Sequence, residues 1–271
     1  MLDGFFQLPY PAQALCATLV TWALTALGAC VVFLMRQPNR NAMDAMLGLA
    51  GGVMVAASFW SLLSPAIEMA GTLGMIPWLT VLAGFMGGGI LLFWGDRLFN
   101  RLTEKRAMLG QSPASKNGLK RCAMLVFSIT LHNIPEGMAI GVAFGSLAYG
   151  LEGSTPAGAW MLAIGIGLQN LPEGMAVSLP LRREGYTPKQ AFFYGQLSGV
   201  VEPIAAVLGA LLVLKVRTCL PFLLAFAAGA MIYVVVEELI PESQTNENKD
   251  WMALFTLVGF SVMMVLDVAL G

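Results

Sequence analysis

The sequence predicts an all-α integral membrane protein: eight transmembrane helices in an inverted-repeat bundle, with both termini extracytoplasmic. Three observations predict it. Of 271 residues, 57% are hydrophobic and only 11% are charged, whereas a soluble domain carries about 25% charge. The apolar residues fall into long continuous runs, each near the roughly 20 residues that an α-helix needs to cross hydrocarbon. Lys and Arg gather on alternate connections between those runs, which is the mark of cytoplasmic loops.

The runs are 12–35, 43–69, 74–100, 118–148, 157–183, 189–214, 218–242 and 250–270, and they make one transmembrane domain over 1–271. The first follows residues Met1 to Tyr10, which lack a basic leader, so it is expected to stay as a span. The second contains Asp44, Met54, Ser61 and Glu68. The third contains Gly87-Gly88-Gly89, small residues that permit close helix packing. A polar stretch, 101–117, separates it from the fourth and is expected to be a mobile loop without His or Cys. The fourth and fifth each carry a polar heptapeptide. The sixth carries Gly199-Val200-Val201-Glu202-Pro203, the seventh ends in Glu237, Glu238 and Glu242, and the eighth holds Asp267. A strand barrel is excluded, because such strands alternate over segments of about 10 residues.

Orientation follows from 13 of the 15 Lys and Arg residues. Arg36, Arg40, Arg97, Arg101, Lys105, Arg106, Lys116, Lys120, Arg121, Arg182, Arg183, Lys189 and Lys249 fall on one side, and only Lys215 and Arg217 on the other. The net charge of -1 gives no support to nucleic-acid binding. Cys16, Cys30, Cys122 and Cys219 are scattered through apolar sequence and read as small hydrophobic residues, not a disulfide framework.

The chemistry sits in the two heptapeptides. Leu131-His132-Asn133-Ile134-Pro135-Glu136-Gly137 lies in the fourth run, and Leu168-Gln169-Asn170-Leu171-Pro172-Glu173-Gly174 lies 37 residues further on in the fifth. His132 and Glu136 share a helix face, as do Gln169 and Glu173. Asn133 and Asn170 sit about 100° round. Pro135 and Pro172 each remove a backbone donor, so a pair of broken helices meeting near the midplane is expected. A weaker echo links Ser64-Pro65-Ala66-Ile67-Glu68 with Glu238-Leu239-Ile240-Pro241-Glu242.

Depth supports a common site. His132, Gln169, Glu202 and Met54 each lie roughly 17–21 Å into their spans at 1.5 Å per residue, within a hydrocarbon core about 30 Å thick. Glu136, Glu173 and Glu202 together carry a formal charge of -3, and no Lys or Arg occupies the span centres. A divalent cation is the remaining partner. Imidazole, carboxylate, amide and thioether donors suit Zn²⁺, Cd²⁺, Fe²⁺ or Mn²⁺ better than Ca²⁺ or Mg²⁺. Other readings stand beside this one. Met54 can be core filler, and Asn133 and Asn170 can be interhelical glue.

On these motifs the chain resembles the ZIP family of divalent-metal transporters, in particular its bacterial GufA-like branch, over essentially its whole length. The resemblance implies a multi-pass protein of the cell membrane, in bacteria the inner membrane, that brings zinc or a related divalent ion into the cytoplasm. It implies a binuclear midplane site. His132, Glu136, Gln169 and Glu173 match a first metal position, with Met54 as its soft ligand. Asn133, Asn170 and Glu202 match a second, bridged by Glu136 and Glu173. Two positions depart from the common pattern: Gln169 stands where many members have His, and Asn170 where some have Asp. The metal is substrate, no prosthetic group is expected, and the resemblance is compatible with a homodimer.

Ser61, Glu68 and Asp267 read as an outer path to the site, and Glu237, Glu238 and Glu242 as an exit, while Asp44 reads as a helix-end charge. Two other functions remain at this point. One is a proton-coupled carrier of a non-metal solute. The other is an intramembrane metalloenzyme, which the lack of an HExxH pattern and the single His disfavour.

Overall fold

The computed structural model describes residues 7–34, 40–108, 115–150, 154–183, 185–245 and 247–270. Every regular element among them is helical. The long helices are α1 (Tyr10–Leu34), α2 (Arg40–Thr72), α3 (Pro77–Met108), α4 (Ser115–Ser146), α5 (Pro156–Arg183), α6 (Pro188–Lys215), α7 (Arg217–Ser243) and α8 (Lys249–Leu270). Six of them, α1, α2, α3, α6, α7 and α8, contain a stretch long and apolar enough to cross a membrane. The other two, α4 and α5, have 32 and 28 residues and carry the polar heptapeptides.

Local chemistry sets several helix starts. Pro9 and Pro11 bracket the start of α1, where the missing donors of proline cost nothing. Thr155 caps α5 by accepting from Gly158 N–H at 2.9 Å. At the head of α6, Thr187 Oγ1 accepts from Gln190 N–H at 3.3 Å, and Gln190 Oε1 accepts from Thr187 N–H at 3.0 Å. This reciprocal pair is a capping box, with Pro188 in the first turn.

Two expectations are corrected. Residues 101–108 belong to α3 and not to a loop. Leu102, Glu104, Lys105, Arg106, Ala107 and Met108 are all strong helix formers, so polarity alone does not end the helix. Of the rest of the expected loop, 109–114 lies outside the described residues and 115–117 belongs to α4. Secondly, α4 and α5 are not broken: each stays helical through Pro135 or Pro172. The irregular turns fall elsewhere. A π turn occupies Ser58–Leu63 of α2, just before Pro65, and another occupies Val235–Leu239 of α7, just before Pro241. A proline clashes with the carbonyl four residues earlier, and the wider π turn relieves that clash. The faint echo between the second and seventh spans is therefore a shared backbone feature.

The packing obeys a twofold exchange. Helix α1 packs on α5 as α6 packs on α4; α2 packs on α8 as α7 packs on α3; α2 meets α5 as α7 meets α4. Exchanging α1–α3 with α6–α8, and α4 with α5, leaves this pattern unchanged. Helices α3 and α8 lie at the periphery, where Trp78, Leu82, Met86, Ile90, Leu257, Val262 and Val265 face outward. The polar side chains of Thr18, Thr21, Thr25, Asn133, Glu136, Gln169, Asn170 and Glu202 are buried inside. Apolar outside and polar inside is the arrangement that lipid favours.

The glycines of the two heptapeptides set the closest approaches. A Cβ on Gly137 would lie 2.3 Å from the Glu202 carbonyl oxygen, and one on Gly174 would lie 2.0 Å from the Thr25 carbonyl oxygen. Each allows backbone contact with the helix beside it, α6 for α4 and α1 for α5. Helix α3 uses Gly88 the same way against Phe226 of α7, so its glycine face is engaged within the chain.

Gly174→Ala is expected to destabilise the protein by about 1–3 kcal/mol through overpacking. Gly71→Ala, where the added carbon meets only Pro77 Cγ at 3.9 Å, should be neutral. Thermal unfolding of the two purified variants in one detergent checks this.

Candidate metal site

The heptapeptides of α4 and α5 face each other, and α1 and α6 close the far side. Glu136, Gln169, Asn133, Asn170 and Glu202 are all 0% exposed, and Glu173 is 5% exposed. Gln169 Nε2 donates to Glu136 Oε1 at 2.7 Å, tying the second heptapeptide to the first. Asn170 Nδ2 lies 2.9 Å from both oxygens of Glu202 and 3.2 Å from the Thr21 carbonyl. Thr21 Oγ1 donates to Glu202 Oε2 at 2.6 Å. Asn133 Nδ2 donates to the Ser198 carbonyl at 3.0 Å. That carbonyl belongs to a 3₁₀ turn, Ser198–Val200, which precedes Glu202 and Pro203 in α6.

Each asparagine therefore does two things. The nitrogen end bridges helices, as the glue reading expects. The oxygen end stays free. Asn133 Oδ1, Glu136 Oε2, Gln169 Oε1, Asn170 Oδ1 and Glu173 Oε2 are buried and find no donor among the described residues. Five acceptors without donors in one bundle is a costly arrangement, because an unmet buried polar group loses its full hydration.

The carboxylates are close enough to repel. Glu136 feels Glu173 and Glu202, and Glu173 feels Glu202 and Glu238. Among the described residues the one ion pair is Arg40 Nε with Asp44 Oδ2 at 3.9 Å, and no described basic side chain pairs with the three glutamates. No three His, Cys, Asp or Glu side chains among the described residues form a closed ligand cluster. The cluster is instead made of mixed carboxylate and amide oxygens, and Met54 is fully buried in α2. The backbone of His132 lies in α4 one turn before Glu136; its side chain lies outside the described residues.

Several path residues are placed. Ser61 Oγ donates to Asp267 Oδ1 at 2.7 Å, joining α2 to α8. Glu68 is exposed at the end of α2. The three exit candidates separate. Glu237 and Glu242 are exposed, whereas Glu238 is half-buried within electrostatic reach of Glu173. The π turn of α7 carries both Glu237 and Glu238. Asp44 is not an exposed helix-end charge. It is 3% exposed, with only Arg40 near its buried oxygen. Thr21 escaped the sequence reading. Thr18, Thr21 and Thr25 recur every three or four residues in an otherwise apolar run, and that spacing was the available signal of a polar stripe.

The comparison with known proteins decides what family builds such a site. The sequence profile of the family described as ZIP Zinc transporter matches residues 110–267. The chain belongs to this family. It is 39% identical to zinc transporter ZIP11 of Homo sapiens, over 96% of this chain and 97% of that protein. It is 38% identical to zinc transporter ZIPB of Bordetella bronchiseptica, over 92% of this chain and 79% of that protein. It is 35% identical to zinc transporter GufA of Myxococcus xanthus, over 95% and 98% respectively. ZIP proteins are transporters and not enzymes, so the metalloenzyme reading falls. The matched stretch contains both heptapeptides, Glu202 and Asp267, while Thr21 of α1 lies outside it.

Asn133→Leu in this ZIP protein leaves the buried Ser198 carbonyl without its donor. A loss of about 1–3 kcal/mol in stability is expected. Asn133→Gln, which keeps an amide, should lose less in the same melting measurement.

Proposed function

We propose that this protein imports zinc into the cytoplasm, through a midplane site of two adjacent cation positions. The first position takes His132, Glu136, Gln169, Glu173 and Met54. The second takes Asn133, Asn170 and Glu202, with Glu136 and Glu173 bridging. Cd²⁺, Fe²⁺ and Mn²⁺ fit the same mixed donors and are competing substrates. The observation that carries the reading is the set of five buried acceptor oxygens without donors, all on the two heptapeptides. Acceptors without donors call for positive charge, and the glutamates among them call for it most strongly.

The surrounding architecture fits. With all eight helices crossing the bilayer, the basic connections lie inside and both termini lie outside. Three helices, then two, then three, related by the exchange described above, make an inverted repeat whose axis passes between α4 and α5. The metal enters past Glu68 and the Ser61–Asp267 pair, then reaches Met54 and the central donors. It leaves past Glu238, which already senses Glu173, toward Glu237, Glu242 and the cytoplasm. A multi-pass position in the cell membrane follows, in a bacterium the inner membrane, and assembly as a homodimer is part of the proposal.

Proteoliposomes filled with a zinc-sensitive dye test the function. The wild-type chain should give a saturable signal. Glu136→Ala and Glu173→Ala should each reduce the initial rate by about tenfold or more, since each removes a charged ligand worth at least ~1.4 kcal/mol. Rates in both variants equal to wild type would refute the site.

A further inference from the structure

The two halves of the cluster differ in what their carboxylates are already doing. Glu136 Oε1 accepts from Gln169 Nε2, but Glu136 Oε2, Glu173 Oε2 and Gln169 Oε1 find no donor among the described residues. Glu202 is different. Its Oε1 accepts from Asn170 Nδ2, and its Oε2 accepts from both Asn170 Nδ2 and Thr21 Oγ1. Each of those donors points the positive end of an N–H or O–H bond at the oxygens that a cation would need. The second position therefore holds its one non-bridging carboxylate in a neutral clamp.

The clamp is not fixed. A threonine hydroxyl has one proton, and that of Thr21 has a second acceptor within reach. Thr21 Oγ1 lies 2.6 Å from Glu202 Oε2 and 3.1 Å from the Thr18 carbonyl. Turning the hydroxyl toward Thr18 leaves Glu202 Oε2 with Asn170 Nδ2 as its remaining donor and presents a lone pair in place of a proton. The shorter bond is to a charged acceptor and is the stronger of the two, since charge-assisted hydrogen bonds have roughly twice the strength of neutral ones. Releasing Glu202 is thus unfavourable until a cation supplies the difference.

We infer that Thr21 of α1 is a positioning residue that sets the order of filling: the first position binds its ion on the open oxygens of Glu136 and Glu173, and the second binds only by displacing the Thr21 hydroxyl from Glu202. This rests on the two-position site proposed above. Thr21 acts through Glu202 and not as a primary ligand. Its partner in the clamp, Asn170, has the same effect from α5, because its nitrogen end and not its oxygen end meets Glu202.

Equilibrium dialysis of the purified full chain in nanodiscs against Zn²⁺ tests this, with bound metal counted by mass spectrometry. The wild type should bind one ion per chain, then a second at about tenfold or higher free Zn²⁺. Thr21→Val, which keeps the shape and loses the hydroxyl, should bring the second binding step about tenfold closer to the first and leave the first unmoved. Thr21→Ser should restore the wild-type spacing. Asn170→Asp provides an independent variant and should tighten the second step. Two ions of equal affinity in the wild type, or a second step unmoved in both Thr21→Val and Asn170→Asp, would overturn the inference. A first step that survives in Glu136→Ala would instead refute the underlying site, and the inference would fall with it.

Discussion

A carboxylate inside a helix bundle keeps its charge only where donors or cations meet it, because the low-dielectric interior returns little of the lost hydration. Glu136, Glu173 and Glu202 are three such groups, within mutual repulsion and with no basic side chain beside them among the described residues. The rest of the bundle is organised around this constraint. Gln169 meets one oxygen of Glu136, and Asn170 with Thr21 meets both oxygens of Glu202. What these neutral donors leave unmet is a set of acceptors suited to a divalent ion. A single structure thus holds both a partial neutralisation of the glutamates and the unmet acceptors on which the proposed site rests.

Tight backbone packing makes that geometry reproducible. Gly137 and Gly174 bring α4 onto α6 and α5 onto α1 at distances that leave no room for a side chain. Those contacts place Glu202 and Thr21 beside the heptapeptides. The proline of each heptapeptide is accommodated without a break, while the π turns in α2 and α7 contain Ser61 and Glu238, the residues proposed for the path. Such turns recur at functional sites because they re-aim side chains within a helix. Here they lie on helices exchanged by the twofold pattern, one for each proposed side of the path.

Much of this was legible in the sequence. Continuous apolar runs marked the all-helical membrane character, six helices among the described residues being long and apolar enough to cross a membrane, and the heptapeptides marked the buried polar cluster. The reasons for the failures are physical. Polarity suggested a loop at 101–108, but helix propensity continued α3. Proline suggested broken helices, but one missing hydrogen bond does not outweigh the packing on either side. Asp44 read as a plain helix-end charge and is buried, because a residue near a helix end gives no sign in one dimension of the helices that cover it. Thr21 showed only as one member of the Thr18, Thr21, Thr25 stripe, because its bond to Glu202 spans 181 positions. The glycines of the heptapeptides read as part of a motif, and their purpose appears only when the neighbouring backbone is in view.

Anomalous scattering from crystals soaked in Zn²⁺, recorded on both sides of the zinc edge, tests the central claim most directly. The account predicts a zinc peak about 2.0–2.2 Å from Glu136 Oε2 and Glu173 Oε2, the range of zinc–carboxylate bonds, with Gln169 Oε1 beside it. Zinc confined to the peripheral acids Glu68, Glu237 and Glu242, with no peak between α4 and α5, would contradict it.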